Sequence, residues 1–191
     1  MRAFAVLLAP LAVLGPQGAQ SELCPIEPTI SWYDVQGDTP AEIRASMIER
    51  GPKDDRGRAR FAYASWSVKW KWKLGEGAKV DLSTMQISCK GHLTLPRYVP
   101  RDDAPVEIAR EWEAYLERLI QHENRHLQHP VQHAHRIRQR LAAAEARYGE
   151  LSAHRANQIV QAAIQQIREM DRLYDHETNH GKTEGTWSIV D

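Results

Sequence analysis

Between Ile108 and Ile120 apolar residues recur at steps of three and four (Ile108, Trp112, Tyr115, Leu116, Leu119, Ile120). This is the stripe of an amphipathic helix, and it runs straight into His122-Glu123-Asn124-Arg125-His126. A helix is therefore required there. Its i, i+4 geometry puts both imidazoles on one face, one turn apart, close enough to share a metal. Glu123, between them, can lean toward a metal-bound water and take its proton. Two ligands and a general base from one turn of helix is the zinc-peptidase arrangement.

The segment before this helix has a different period. From about Thr29 to Tyr98 apolar and polar residues alternate, which predicts strands at Thr29–Val35, along Phe61–Trp72, and over Val80–Leu95 as one or two strands with Gly91 at a bulge or bend. Thr39-Pro40-Ala41-Glu42 starts a short helix, with Thr39 as N-cap, Pro40 at the first helical position and Glu42 closing the capping box; Gly51-Pro52 ends it. The expected fold class is α+β: an antiparallel β meander with one short helix, then a C-terminal bundle of long helices carrying the H-E-x-x-H site. Pro130 removes a backbone N–H, so the first long helix is expected to kink or end near His129. Helical pattern resumes through Ile137, Leu141 and Ala144, and a last helix is expected over Leu151–Leu173. Tyr174 to Asp191, rich in Gly and Thr, is expected to be loop with at most a short terminal strand.

The N-terminus reads as a secretory signal over residues 1–21: Arg2, then an apolar run from Phe4 to Leu14, then small residues at Gly18, Ala19 and Ser21. Pro10 and the short run argue against a spanning helix, and no later stretch is long and apolar enough to be one. Residues 22–191 then form a single exported domain, periplasmic or secreted, with a β-rich half (22–100) and a helical half (101–191). In an oxidising compartment the two cysteines, Cys24 and Cys89, most simply pair. Lys+Arg and Asp+Glu are both 25, for a formal net charge of zero, which gives no nucleic-acid footprint. The run Lys69-Trp70-Lys71-Trp72-Lys73 fits a strand with tryptophans on one face and lysines on the other.

Two histidines need a third protein ligand, with a position left open for water. His129 and His133 share the face of His122, but Pro130 disturbs that geometry, and they are expected, with His135, on solvated helix surface. Glu169 is the main glutamate of the last helix. The tail carries Tyr174-Asp175-His176-Glu177-Thr178-Asn179-His180-Gly181. If the last helix returns antiparallel to the first, a loop at its end can drop one imidazole onto the metal. Gly181 permits the turn. Asp175 could orient a ligand imidazole or serve as a ligand itself, and Tyr174 could donate to a developing oxyanion.

H-E-x-x-H at 122–126 followed by Y-D-x-x-T-x-H-G at 174–181, after a β-rich half, resembles the bacterial family known as domain of unknown function 922, described as predicted secreted zinc-dependent proteases. The resemblance covers essentially the whole mature chain. It implies Zn2+ held by His122, His126 and His180, with Glu123 and Tyr174 catalytic, Asp175 and Thr178 supporting them, and a peptide or protein as substrate. Two rivals stand beside it: a non-catalytic periplasmic zinc-binding or adaptor domain, and a zinc amidase acting on cell-wall peptide.

Overall fold

The structure is a computed structural model and describes residues 24–102 and 104–186. The expected signal segment, residues 1–21, lies outside the described residues. In chain order the elements are β1 (Thr29–Val35), α1 (Pro40–Arg50), β2 (Tyr63–Leu74), β3 (Val80–Tyr98), α2 (Val106–Tyr148) and α3 (Ala153–Glu177), with short 3-10 turns at Glu76–Ala78 and Lys182–Glu184. Over the described residues the chain is α+β, with three helices and one three-stranded sheet.

The sheet is mixed, which corrects the expected antiparallel meander. Its order is β1-β3-β2. β2 pairs antiparallel to β3, from Tyr63↔Thr94 to Leu74↔Val80, but β1 pairs parallel to β3, from Thr29↔His92 to Val35↔Tyr98. Alternation tells which residues share a face; it is silent on direction. The helix and loop between β1 and β2 are too long for a hairpin, so β1 passes β2 and pairs with the far edge of β3. Gly91 is not a bulge: its register with Trp66 is unbroken, and the irregularity falls between Lys71 and Lys73. A Cβ on Gly91 would stand 2.6 Å from Ile26 Cγ2 and 3.0 Å from Leu127 Cδ2. Glycine is there because α2 presses onto the sheet.

Local signals set the first helix as its residues dictate. Thr39 Oγ1 accepts from the Glu42 N–H at 3.3 Å, Glu42 Oε2 accepts from the Asp38 N–H at 2.8 Å, and Gly51 closes the far end. The Cys24–Cys89 disulfide pins the start of the described chain to β3, with Cα atoms 5.2 Å apart.

α2 spans 43 residues, about 65 Å at 1.5 Å per residue, and crosses the sheet against β2 and β3. Its first half buries Trp112, Tyr115 and Leu119 with Val35, Ile43, Met47, Leu93 and Leu95. Its second half buries Ile137 and Leu141 with Val68, Met85, Val160 and Ile164. Trp66 packs against both clusters. The helix does not end at Pro130, which lies inside it, fully buried. The missing N–H leaves the His126 carbonyl without its usual partner, and packing on both sides carries the helix through. Burial holding α2 from both ends puts its middle, His122 to His129, between the two cores, where the C-terminal end of α3 returns. Among the described residues no helix is long and apolar enough to cross a membrane.

Candidate metal centre

His122, Glu123 and His126 all lie in the buried middle of α2. One turn apart, the two rings meet edge to face with centroids 5.1 Å apart, as the i, i+4 spacing requires. α3 continues to Glu177 rather than ending at Leu173, so Tyr174 and Asp175 are helical and not tail loop. Asp171 and Asp175 then repeat the same i, i+4 spacing on the opposing helix. The two helices run antiparallel, and their side chains interleave as His122, Asp175, His126, Asp171, His129.

Asp175 Oδ1 lies 3.1 Å from His126 Nε2 and 3.4 Å from His122 Nε2. The edge of a tetrahedron built on bonds of about 2.0–2.1 Å is about 3.3–3.4 Å; the two distances to Asp175 are close to it, and all three donors lie within 4.8 Å of one another, a group that could hold one ion. The outward nitrogens carry the complementary arrangement. His122 Nδ1 meets Glu184 Oε2 at 2.8 Å, and His126 Nδ1 meets Asp171 Oδ1 at 3.2 Å. A carboxylate on each Nδ1–H makes Nε2 the nitrogen that, once its proton is displaced, would turn a lone pair inward toward a metal. The donors of His126, His129 and Asp171 also cluster within 4.8 Å of one another. There, however, Asp171 Oδ1 stands 2.5 Å from His129 Nδ1, a hydrogen bond with no room for an ion between the two. Asp171 Oδ2 accepts from Trp66 Nε1–H at 2.6 Å, so its position is set from the sheet as well.

The segment after α3 folds back over the site. Asn179, His180 and Gly181 have φ of 50°, 54° and 80°, three successive left-handed residues that reverse the chain. Thr178 Oγ1 donates to the Tyr174 carbonyl at 2.8 Å and accepts from the Gly181 N–H at 3.1 Å. A Cβ on Gly181 would meet Thr186 Oγ1 at 2.6 Å and His122 Nδ1 at 3.1 Å. Only glycine takes this conformation so close to the imidazole. Arg118 Nε donates to the Gly185 carbonyl at 3.0 Å, tying the segment to α2. The outcome is that Glu184 is delivered to His122.

Charge follows the same geometry. Burial pushes the His126 imidazole down, but Asp171 and Asp175 outweigh it and hold its pKa up at about 10. His122 is raised likewise, burial being overcome by Asp175 and Glu184. Burial raises Asp175, yet the two imidazoles bring it well below the ordinary carboxylate range. Glu123 goes the other way: burial raises it, against the opposing pull of His126 and His122, while the Ala64 backbone N–H donates to it. A buried carboxyl raised in this way beside two imidazoles is placed to exchange a proton with a group in the site.

Of the residues singled out in the sequence, His122, His126 and Asp175 are brought together, with Glu123 buried beside them. Tyr174 stacks on His122 with centroids 4.9 Å apart, and its hydroxyl donates to Glu184 at 2.8 and 3.0 Å. His180 is exposed; its Nδ1 lies 3.5 Å from the outer oxygen of Asp175, outside the converging trio. Glu169 points away, paired with Arg172. His129, expected on the solvated surface, is turned inward onto Asp171, its side chain 13% exposed. Sequence reading missed Asp171 and Glu184. The signal for Asp171 was its i, i+4 spacing to Asp175; Glu184 had none, since a loop delivers it.

Fold and site together define an α+β chain with His/Asp donor groups that could hold a metal ion. The chain belongs to the family described as Bacterial protein of unknown function (DUF922), whose match covers residues 30–181 and so takes in both motif blocks. No curated protein and no solved structure matches it.

Proposed function

We propose that this chain is an exported zinc-dependent peptidase. The observation that carries the reading is the convergence of His122 Nε2, His126 Nε2 and Asp175 Oδ1 at ligand spacing beside a buried glutamate. Two imidazoles and one carboxylate are a donor set zinc favours at a catalytic site. His180 acts on the outer oxygen of Asp175 and helps orient it. Zinc bound there supplies Lewis acidity, acidifying water and polarising a scissile carbonyl. Glu123 takes the proton of the attacking water on its carboxylate and returns it to the leaving amine. Glu184 and Asp171 hold the two imidazoles in register. The Tyr174 ring excludes water from one side of His122.

The rival is a non-catalytic zinc-binding domain. A structural site is closed by four protein ligands; here a cleft runs up to His122, Glu123, His126 and Asp175, which favours the enzyme. The Cys24–Cys89 bridge agrees with export to an oxidising compartment. The decisive test is Glu123→Gln: zinc stays bound and peptide hydrolysis falls by at least about a hundredfold. Hydrolysis at the wild-type rate by that variant would remove Glu123 from the mechanism.

A further inference from the structure

The cleft at the trio has a volume of about 1000 Å³ and runs beside β2 and the segment leading into it. One wall is Arg58–Trp66 with Arg44 and Ile48 of α1; the other is α3 from Gln165 to Asp175. Five arginines line it: Arg44, Arg58, Arg60, Arg168 and Arg172. Four carboxylates, Asp54, Glu123, Asp171 and Asp175, line it as well, so the arginines matter by their placement and not by an excess of charge.

The carboxylates of the cleft have partners other than Arg60, Arg168 and Arg172. Asp171 is bonded to Trp66, His126 and His129, and Asp175 to His122 and His126. Glu123 accepts from the Ala64 N–H. Asp54 takes Arg58 at 2.7 Å. Arg60 lies over the Tyr63 ring, its Cζ 5.4 Å from the centroid, which fixes the guanidinium plane and leaves its N–H fork at the edge for a carboxylate. Arg168 and Arg172 stand one turn apart on α3, and Asp175 follows Arg172 by three residues. Arg172 meets Glu169 in an exposed i, i+3 pair, a contact that a competing carboxylate displaces at small cost.

We propose that the cleft binds an extended peptide bearing acidic side chains on both sides of the metal trio, one read by Arg60 on the β2 side and another by Arg168 and Arg172 on α3. A peptide fits better than another polyanion for two reasons. β2 is an edge strand of the sheet, so its outer backbone groups other than the Ala64 N–H, which Glu123 takes, can pair with an extended chain. The aromatic residues here are already engaged: Phe61 under Arg44, Tyr63 under Arg60, Trp66 on Asp171. Two of these three rings thus carry an arginine where a base would stack. The inference deepens the peptidase reading and rests on it for the cut, but not for the binding.

The test is fluorescence anisotropy on the zinc-loaded Glu123→Gln domain at low salt, with three labelled peptides of equal length containing Glu, Gln or Lys at the variable positions. The Glu peptide binds at least about tenfold more tightly than the Gln peptide, and the Lys peptide more weakly still. Arg168→Glu, an exposed substitution on α3, weakens the Glu peptide by about tenfold, and Arg60→Glu with Arg168→Glu turns the preference toward Lys. Equal affinities for the three peptides overturn the proposal. So does a single-stranded oligonucleotide or heparin binding more tightly than the Glu peptide with the same sensitivity to Arg168→Glu. Charge-selective binding by a wild-type protein that cuts nothing sinks the peptidase reading and leaves this one standing. Cleavage with no preference for acidic flanks does the reverse.

Discussion

Replacing Asp171 by Asn probes the contact that orients His126. The carboxylate accepts on both oxygens: Oδ1 from His126 Nδ1–H at 3.2 Å and His129 Nδ1–H at 2.5 Å, Oδ2 from Trp66 Nε1–H at 2.6 Å. An amide has one accepting oxygen. If that oxygen faces the imidazoles, the NH2 meets the indole N–H; if it faces Trp66, the NH2 meets two imidazoles. Either way a half-buried donor loses its acceptor, which costs about 1–3 kcal/mol. The negative charge that fixes the His126 tautomer is also lost. Removal of such a partner weakens metal binding by about 10–100-fold, or about 1.4–2.7 kcal/mol. Zinc affinity, measured by competition with a chelating fluorophore, should fall by that factor, and the metal-free melting temperature should fall with it. His129→Gln, which leaves the Asp171–His126 contact in place, should change zinc affinity by less than about threefold. An Asp171→Asn protein that melts lower but binds zinc within about twofold of wild type would refute the reasoning and make Asp171 a purely structural residue.

Other outcomes follow from the same contacts. His126 is raised from 6.5 to about 10, so the metal-free fold gains stability from its charge that is fully present below pH 6.5 and lost as pH climbs toward 10. The metal-free melting temperature therefore declines over that window, while the increment added by zinc, which must displace the same protons, grows with pH; an increment that stays flat between pH 6 and about 8.5 contradicts this. Gly91→Ala forces a methyl against Ile26 and Leu127 and should cost about 1–3 kcal/mol in denaturant unfolding. Opening the Cys24–Cys89 bridge, which spans 65 residues, should cost up to about 4 kcal/mol by loop entropy; a Cys24→Ser/Cys89→Ser protein as stable as wild type would show the bridge to be incidental.

Much of this was legible in the chain, and the parts that were not share a physical cause. The α2 stripe, the Thr39–Glu42 cap and the cysteine pair are local or chemical signals, and each forms as read. The parallel pairing of β1 with β3 is a matter of direction, which alternation does not encode. The end of α3 was misplaced because Tyr174 to Glu177 lie in a polar run. None of them is Gly or Pro, so nothing stops the helix before Thr178, and the misplacement concealed the Asp171–Asp175 spacing. His129 was discounted on account of Pro130, whose ring the interior of α2 accommodates between two cores. Glu184 reaches His122 only through the left-handed turn at Asn179–Gly181, which no periodicity announces.

The central claim is that His122, His126 and Asp175 hold one metal ion. Zinc content per chain, determined on the untagged domain produced in an oxidising compartment, tests it most directly when Asp175→Ala and His180→Ala are measured alongside. The account predicts one zinc per wild-type chain, lost with Asp175→Ala and kept, at reduced affinity, with His180→Ala. A wild-type protein without stoichiometric metal, or zinc that survives Asp175→Ala and is lost with His180→Ala, would contradict it.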